Sequence, residues 1–315
     1  VAHAGGCRPG SRLISFLFQS TMDTSFLEHR SLLFGIAYRM LGSVSEAEDM
    51  VQEAYLRWQG QEEGSIDSPK AWLVTTITRL CIDQLRSARR KREEYYGVWL
   101  PEPLVESSAP TPAESADLAD SLTMAFMMML ERLSPLERAA LLLRDVFHYD
   151  YAEIAAIVGK SEANCRQIVS RAKSGLPGVA EVPVAPSEQA RKIVRQFLRA
   201  TSTGEMSDLL ALLTEDATLY TDGGGKVSAA GRPIHSADHV SRLFIGVRRK
   251  SPGTVDYRLA HINGRLGALG YIDGRVDRAI SFDFKGERLS AIYMVRNPEK
   301  LSHLSILSFP DDSLS

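Results

Sequence analysis

Cysteine is scarce. Cys7, Cys81 and Cys165 are the only three in 315 residues, and their odd number and wide spacing exclude both a disulfide framework and a metal-ligand pattern. A reducing cytoplasm is the expected setting. Long apolar runs are missing too. Nothing approaches the roughly 20 residues that a helix needs to cross a bilayer, so no membrane contact is expected, and LISFLF near the start is too short for a secretory leader. Nor does charge of one sign dominate: 37 Lys and Arg against 39 Asp and Glu leave a net charge of −2. Polyanion binding through bulk positive charge is thereby excluded. No E-x-x-H pair accompanies the carboxylates of the first third, which removes a di-metal centre; no metal or cofactor is expected.

What is present divides into three pieces. Residues 1–21 precede Met22 and the first strong helical pattern, and are set aside as an artefact or disordered leader. SSAPTPAES and GLPGVAEVPVAPS cannot continue a helix, so linkers are expected at 101–115 and 176–186. Between them, 22–100 and 116–175 carry apolar residues at helical spacing. Residues 187–305 open with a helix and then alternate in short strands parted by glycine turns. They predict an α+β domain, a helix-plugged cone with a curved antiparallel sheet, followed by a tail at 306–315.

In SEAEDMVQEAYLRW (45–58), Ser45 and Glu48 read as a capping box. Ala47, Val51, Ala54, Tyr55 and Trp58 fall on a core face, and Glu46, Asp49, Gln52 and Glu53 on another. That acidic stripe is either a solvated face or a dock for a basic partner. The helix 68–93 buries Trp72, Leu73, Ile77, Leu80, Cys81 and Leu85 and runs into Arg86, Arg89, Arg90, Lys91 and Arg92. The macrodipole explains part of that cluster. With Thr75, Thr76, Thr78 and Arg79 on the outer side, the surface suits a nucleic-acid strand. Residues 150–173 carry a helix-turn-helix pattern: Ile154, Val158, Cys165 and Ile168 buried, Ala155 small at the crossing and Gly159 at the left-handed turn. Ser161 caps the second helix, and Glu162, Ala163, Arg166, Gln167, Ser170 and Arg171 point outward. The Met-rich run at 124–129 reads as core.

In order and spacing, AEDMVQEAYLRW, AWLVTTITRLCIDQLRS and the segment from LSPLERAALLL to IVSRAK resemble the bacterial extracytoplasmic-function (ECF) sigma factors over about residues 25–175. The resemblance implies two all-α sigma domains that bind core RNA polymerase, through its β′ clamp helices and β subunit, and promoter DNA. Asp49, Gln52, Glu53 and the neighbouring Glu46 would meet the clamp helices. Asp67, Ser68 and Lys70, with the 67–92 segment, would melt and read the minus-10 element, and the helix-turn-helix the minus-35 element. A helix-turn-helix repressor would account for 150–173 but leave AEDMVQE and 68–93 without a task. WLPEP (Trp99, Leu100, Pro101, Glu102, Pro103), DGGGK (Asp222, Gly223, Gly224, Gly225, Lys226) and NPEKL (Asn297, Pro298, Glu299, Lys300, Leu301) resemble a subgroup whose fused SnoaL-like domain regulates in cis. No dedicated anti-sigma protein is then expected.

GGGK does not make a phosphate-binding loop: no Ser or Thr follows Lys226 and no helix begins there. The glycines predict a tight bend that another backbone can approach. WLPEP is the expected visitor, with Glu102 paired to Lys226; the alternative is that DGGGK is only a hairpin turn. Asp216, Tyr220, Asp222, His235, His239 and His261 are the residues an enzymatic cone would use if they converged. Catalysis is not expected; a small ligand in the hollow cone stays open.

Overall fold

The structure, a computed structural model, describes residues 10–62, 65–93, 95–106, 121–176, 187–250 and 255–306, without the side chains of 10–23, 88–93, 187 and 305–306. Cys7, most of both linkers and the end of the tail lie outside the described residues.

Three helices form the first unit: α1 (Gly10–Leu41), α2 (Val44–Gln59) and α3 (Pro69–Glu93). Helix α1 thus starts within the stretch set aside as a leader. Helix α2 starts earlier than its sequence suggests. Gly42 (φ 67°) ends α1 in a left-handed turn, leaving Ser43 extended to accept a hydrogen bond from the Glu46 amide. Ser43 is therefore the N-cap, and Ser45 lies in the first turn. Ala47, Val51, Ala54 and Trp58 are buried as the helical spacing requires, while Tyr55 is half-buried against Phe26.

Helices α4 (Met124–Leu130), α5 (Pro135–Leu141, continued by a π turn at Leu142–Val146), α6 (Tyr151–Val158) and α7 (Glu162–Gly175) form the second unit. Local chemistry sets its turns. Asp150 and Glu153 make a reciprocal capping box at α6, Gly159 ends that helix in the left-handed region, and Ser161 accepts from the Asn164 amide to start α7. Cys165 and Ile168 are buried, Val158 and Ala155 half-buried. Both units share one core, which Leu73, Ile77 and Cys81 enter from α3 and Ile154 and Ile157 from α6.

The third unit begins with α8 (Ser187–Thr203) and α9 (Met206–Leu212). Its strands are β2 (Leu213–Asp222), β3 (Ile234–His235), β4 (Asp256–Ile262), β5 (Arg265–Ile272), β6 (Arg275–Lys285) and β7 (Arg288–Val295). Helix α10 (Ala237–Lys250) lies between β3 and β4, and α11 (Pro298–Leu301) closes the unit. A further strand, β1 (Val105–Glu106), comes from the linker after WLPEP and pairs antiparallel with β4. The sheet runs β1-β4-β5-β6-β7-β2-β3. All neighbours are antiparallel except β2 and β7.

Period-two alternation gives this sheet two buried faces. Ala268, Ile280, Ile292 and Met294 pack with Val194, Phe197 and Val240 of α8 and α10. Leu269, Ala279, Tyr293 and Val295 pack with Leu100, Met124 and Leu301. Helix α4 is the wedge between units: Met127 and Leu130 enter the sigma-like core while Met124 and Met128 meet the sheet.

Candidate polymerase, promoter and regulatory interfaces

The acidic stripe of α2 is uneven. Asp49 and Gln52 are exposed. Glu46 accepts from the Gln84 amide at 3.1 Å, and Glu53 pairs with Arg57 at 2.8 Å. Sequence reasoning missed Leu56, 55% exposed, which sits three and four residues beyond Glu53 and Gln52 and so on the same face. Leu27, 64% exposed, lines a groove with Phe26, Val51, Gln52 and Tyr55 alongside. An apolar side chain on a polar helical face was the available signal. Exposed leucines ringed by charge have the make-up of a docking surface.

On α3, Asp67, Ser68 and Lys70 are exposed at the amino end, with Lys70 Nζ 5.9 Å from the Tyr149 ring. Thr75 is half-buried and donates to the Ala71 carbonyl. One expectation needs correction: Thr78 is fully buried rather than on the outer side. Arg79 is exposed, as expected, and donates to the carbonyls of Ile157 (2.9 Å) and Ala156 (3.2 Å) on α6, so in this state it holds the two units together. Arg86 is exposed near Asp83; Arg89, Arg90, Lys91 and Arg92 lie within α3, their side chains outside the described set. On α7, Ser161, Glu162, Ala163, Arg166, Gln167, Ser170 and Arg171 are all exposed. Glu162 and Arg166 pair at 2.8 Å, and the Arg166 guanidinium stands 5.1 Å from the Tyr151 ring.

The three short motifs converge. Asp222, at the end of β2, is buried and accepts from Tyr95 Oη (2.6 Å), the Leu100 amide (2.9 Å), the Gly224 amide (3.0 Å) and Lys300 Nζ (2.8 Å). Lys300 Nζ also donates to the Leu100 carbonyl and stands 4.3 Å from the Trp99 ring and 4.9 Å from that of Tyr95. Both polar groups of one linker residue are thus taken by a buried ion pair. Burial, then the Asp222 hydrogen bond and charge, push the Tyr95 hydroxyl well above the usual phenol range. Asn297 donates from Nδ2 to Tyr95 Oη, and its amide group lies where a Cβ on Gly224 (φ 60°) would fall. Only glycine fits that bend.

The expected pair Glu102–Lys226 does not form. Lys226 pairs with Glu299. Glu102 instead reaches the start of α2, accepting from Ser43 Oγ (2.8 Å) and the amides of Val44 (2.7 Å) and Ser45 (3.2 Å). Helix N-termini present unsatisfied amides and a positive dipole end, so a carboxylate fits better there than beside an exposed lysine. A second node lies one turn on. Asn263 exchanges backbone and side-chain hydrogen bonds with Leu104 and donates to Tyr38 Oη (2.6 Å) and the Leu122 carbonyl (3.0 Å), and Tyr38 Oη donates to the Glu102 carbonyl. One side chain ties all three units to the linker.

Of the residues an enzymatic cone would use, Asp222 is committed to the linker. His235 lies beside Thr218 and His239 beside Ser236, both exposed. Asp216 is exposed too. His261 is held below the usual histidine range by burial and by Arg191. Asp216, His235 and His239 neighbour one another on an exposed edge: Thr218 Oγ1 lies 3.3 Å from the Asp216 carbonyl and 3.1 Å from His235 Nδ1, and His239 Nδ1 lies 3.1 Å from the His235 carbonyl, while Tyr220 stacks on Tyr293 at 5.2 Å. Among the described residues no cluster of His, Cys, Asp or Glu has the arrangement of a metal site, and no helix is long and apolar enough to cross a membrane.

A helical unit with a polar docking stripe, followed by a helix-turn-helix, defines a promoter-recognition protein of the sigma class. Residues 26–91 match Sigma-70 region 2 and residues 123–176 match Sigma-70, region 4. The chain belongs to the ECF RNA polymerase sigma factors. It is 37% identical to the ECF RNA polymerase sigma factor SigJ of Mycobacterium tuberculosis over 284 residues, covering 87% of this chain and 91% of that one. To the probable ECF RNA polymerase sigma factor SigI of the same species it is 30% identical over 285 residues, 90% and 96% of the two chains. The crystal structure of M. tuberculosis SigJ aligns with a TM-score of 0.67 at 32% identity, over 89% of this chain and 98% of that one. As a sigma factor, the protein directs core RNA polymerase to promoter DNA. The α+β unit follows the two helical sigma units, as expected.

Proposed function

We propose that the SnoaL-like domain regulates the sigma regions in cis, by gripping the linker that joins them, and that the protein works in the cytoplasm without a dedicated anti-sigma partner. The observation carrying this reading is the buried Asp222–Lys300 pair on the backbone of Leu100. Linker geometry sets the separation of the two promoter-reading units, and promoter elements have a fixed separation. Glu102 extends the same control to polymerase contact, because it caps the helix bearing Asp49, Gln52 and Glu53. The minus-10 and minus-35 assignments to residues 67–92 and 161–171 belong to this proposal, as does the absence of catalysis. The exposure of Asp216, His235 and His239 and the commitment of Asp222 to the linker and Lys300 support the latter.

Run-off transcription with core polymerase on a selected promoter tests the reading, comparing the full chain with one ending at Gly178. Regulation in cis requires the two to differ, the sign telling whether the domain restrains or supports the factor. Equal activity would refute it.

A further inference from the structure

The proposed promoter contacts of α3 and α7 do not account for an exposed basic surface on the last domain. On α8, Lys192, Arg195 and Arg199 are exposed on the side opposite the buried Ile193, Val194, Phe197 and Leu198. Gln196 lies in the same arc, and the one acidic residue of the helix, Glu188, is confined to its first turn. Helix α10 ends in Arg248, Arg249 and Lys250. Arg248 Nε donates to the Ser202 carbonyl at 2.8 Å, which docks this basic end on the carboxyl end of α8. Among the described residues, Lys192, Arg195, Arg199, Arg249 and Lys250 enter no ion pair. A chain of net charge −2 thus concentrates unneutralised cations on two abutting helices.

We propose that this face is an additional DNA-contact surface, which holds duplex phosphates upstream of the element read by the helix-turn-helix. Charge complementarity names the occupant: cations spread along a helix with no aromatic platform suit a phosphate backbone and carry no base readout. The tether supplies the location. Helix α7 ends at Gly175 and α8 begins at Ser187, so twelve residue steps bound their separation to roughly 40 Å. A turn of duplex measures about 34–36 Å. With the recognition helix on DNA, α8 therefore stays within about one turn of it. On the proposed assignments the first sigma unit reads the minus-10 element downstream of the helix-turn-helix, which leaves the upstream duplex to this face.

Holoenzyme containing the full chain should be titrated with two promoter fragments, one ending at the upstream edge of the minus-35 element and one extended by about 20 base pairs, each from roughly 50 to 200 mM salt. The extension is expected to raise affinity about tenfold, and the triple variant Lys192→Gln, Arg195→Gln, Arg199→Gln to abolish that gain. The variant should lower the salt slope on the long fragment by about 2–3, as three lost phosphate contacts require, and leave the short fragment unaffected. Arg249→Gln with Lys250→Gln, on the other helix, should act in the same direction. Equal affinity of intact chain and variants for the long fragment would overturn the proposal. So would weakened binding of the triple variant to core polymerase without DNA, which would make the face a polymerase contact. The outcome does not depend on the linker dock, so regulation in cis stands or falls separately.

Discussion

Asp222 and Lys300 meet with side-chain exposures of 0% and 8%, where desolvation makes an unpaired charge costly. Asp222→Ala alone strands the ammonium beneath Trp99 and Tyr95 and is expected to destabilise the chain by about 3–5 kcal/mol. Adding Lys300→Met removes the stranded charge, so the double variant should lose less than the sum of the singles; denaturant melts of the four chains measure the coupling. A second buried carboxyl behaves differently. Burial raises Asp283 above its ordinary value of 3.8, against the opposing effect of the Tyr293 hydroxyl that donates to it at 2.8 Å. A raised folded value means the native state binds the proton more tightly. The contribution of Asp283 is thus fully present below 3.8 and lost as pH rises through the folded value. Asp283→Asn should gain melting temperature relative to the parent on going from about pH 4 to 7.5. A constant difference across that range would contradict the assignment.

At the scale of the element, α2 depends on a residue 58 positions away, because Glu102 satisfies the Val44 amide. Charge-assisted hydrogen bonds to a helix start are worth about 1–3 kcal/mol. Glu102→Ala should cost that much stability and weaken core polymerase binding through α2, whereas Lys226→Ala, which breaks only the exposed pair with Glu299, should be nearly silent in thermal melts. Whatever is local in these elements is legible in the sequence. The helix-turn-helix carries its own caps and glycine turn within 24 residues, and the core faces of α2 and α3 follow from spacing. The partner of Glu102 is not legible, since a carboxylate fits an exposed lysine or a helix start equally well until the chain is folded. Nor is β1: two residues have no period, and they become a strand only because β4 offers an edge. Helical face alone places Thr78 on the outer side, and reveals neither its burial nor that the exposed Arg79 bonds to α6.

Across the whole molecule, three units meet on a single spine formed by residues 95–106: the side chains that hold it are Tyr38 and Ser43 from the first and Asp222, Asn263 and Lys300 from the last, and the second is tied on through the Leu122 carbonyl, which accepts from Asn263. On the proposed reading, such an assembly would couple polymerase contact and promoter spacing to the last domain. The described state is closed, in that Arg79 and Lys70 of α3 face α6 and Tyr149. The resemblance in the sequence conveyed the three-unit order, and the glycine bend the meeting of WLPEP with DGGGK, but neither conveyed NPEKL as the source of the clamping lysine. The most direct test is run-off transcription by the full chain carrying Asp222→Ala with Lys300→Met, beside the intact chain and the chain ending at Gly178. If the cone acts through its grip on Leu100, the double variant transcribes like the truncated chain. If it transcribes like the intact chain while the truncation differs, the grip is structural only and the cone regulates by another route.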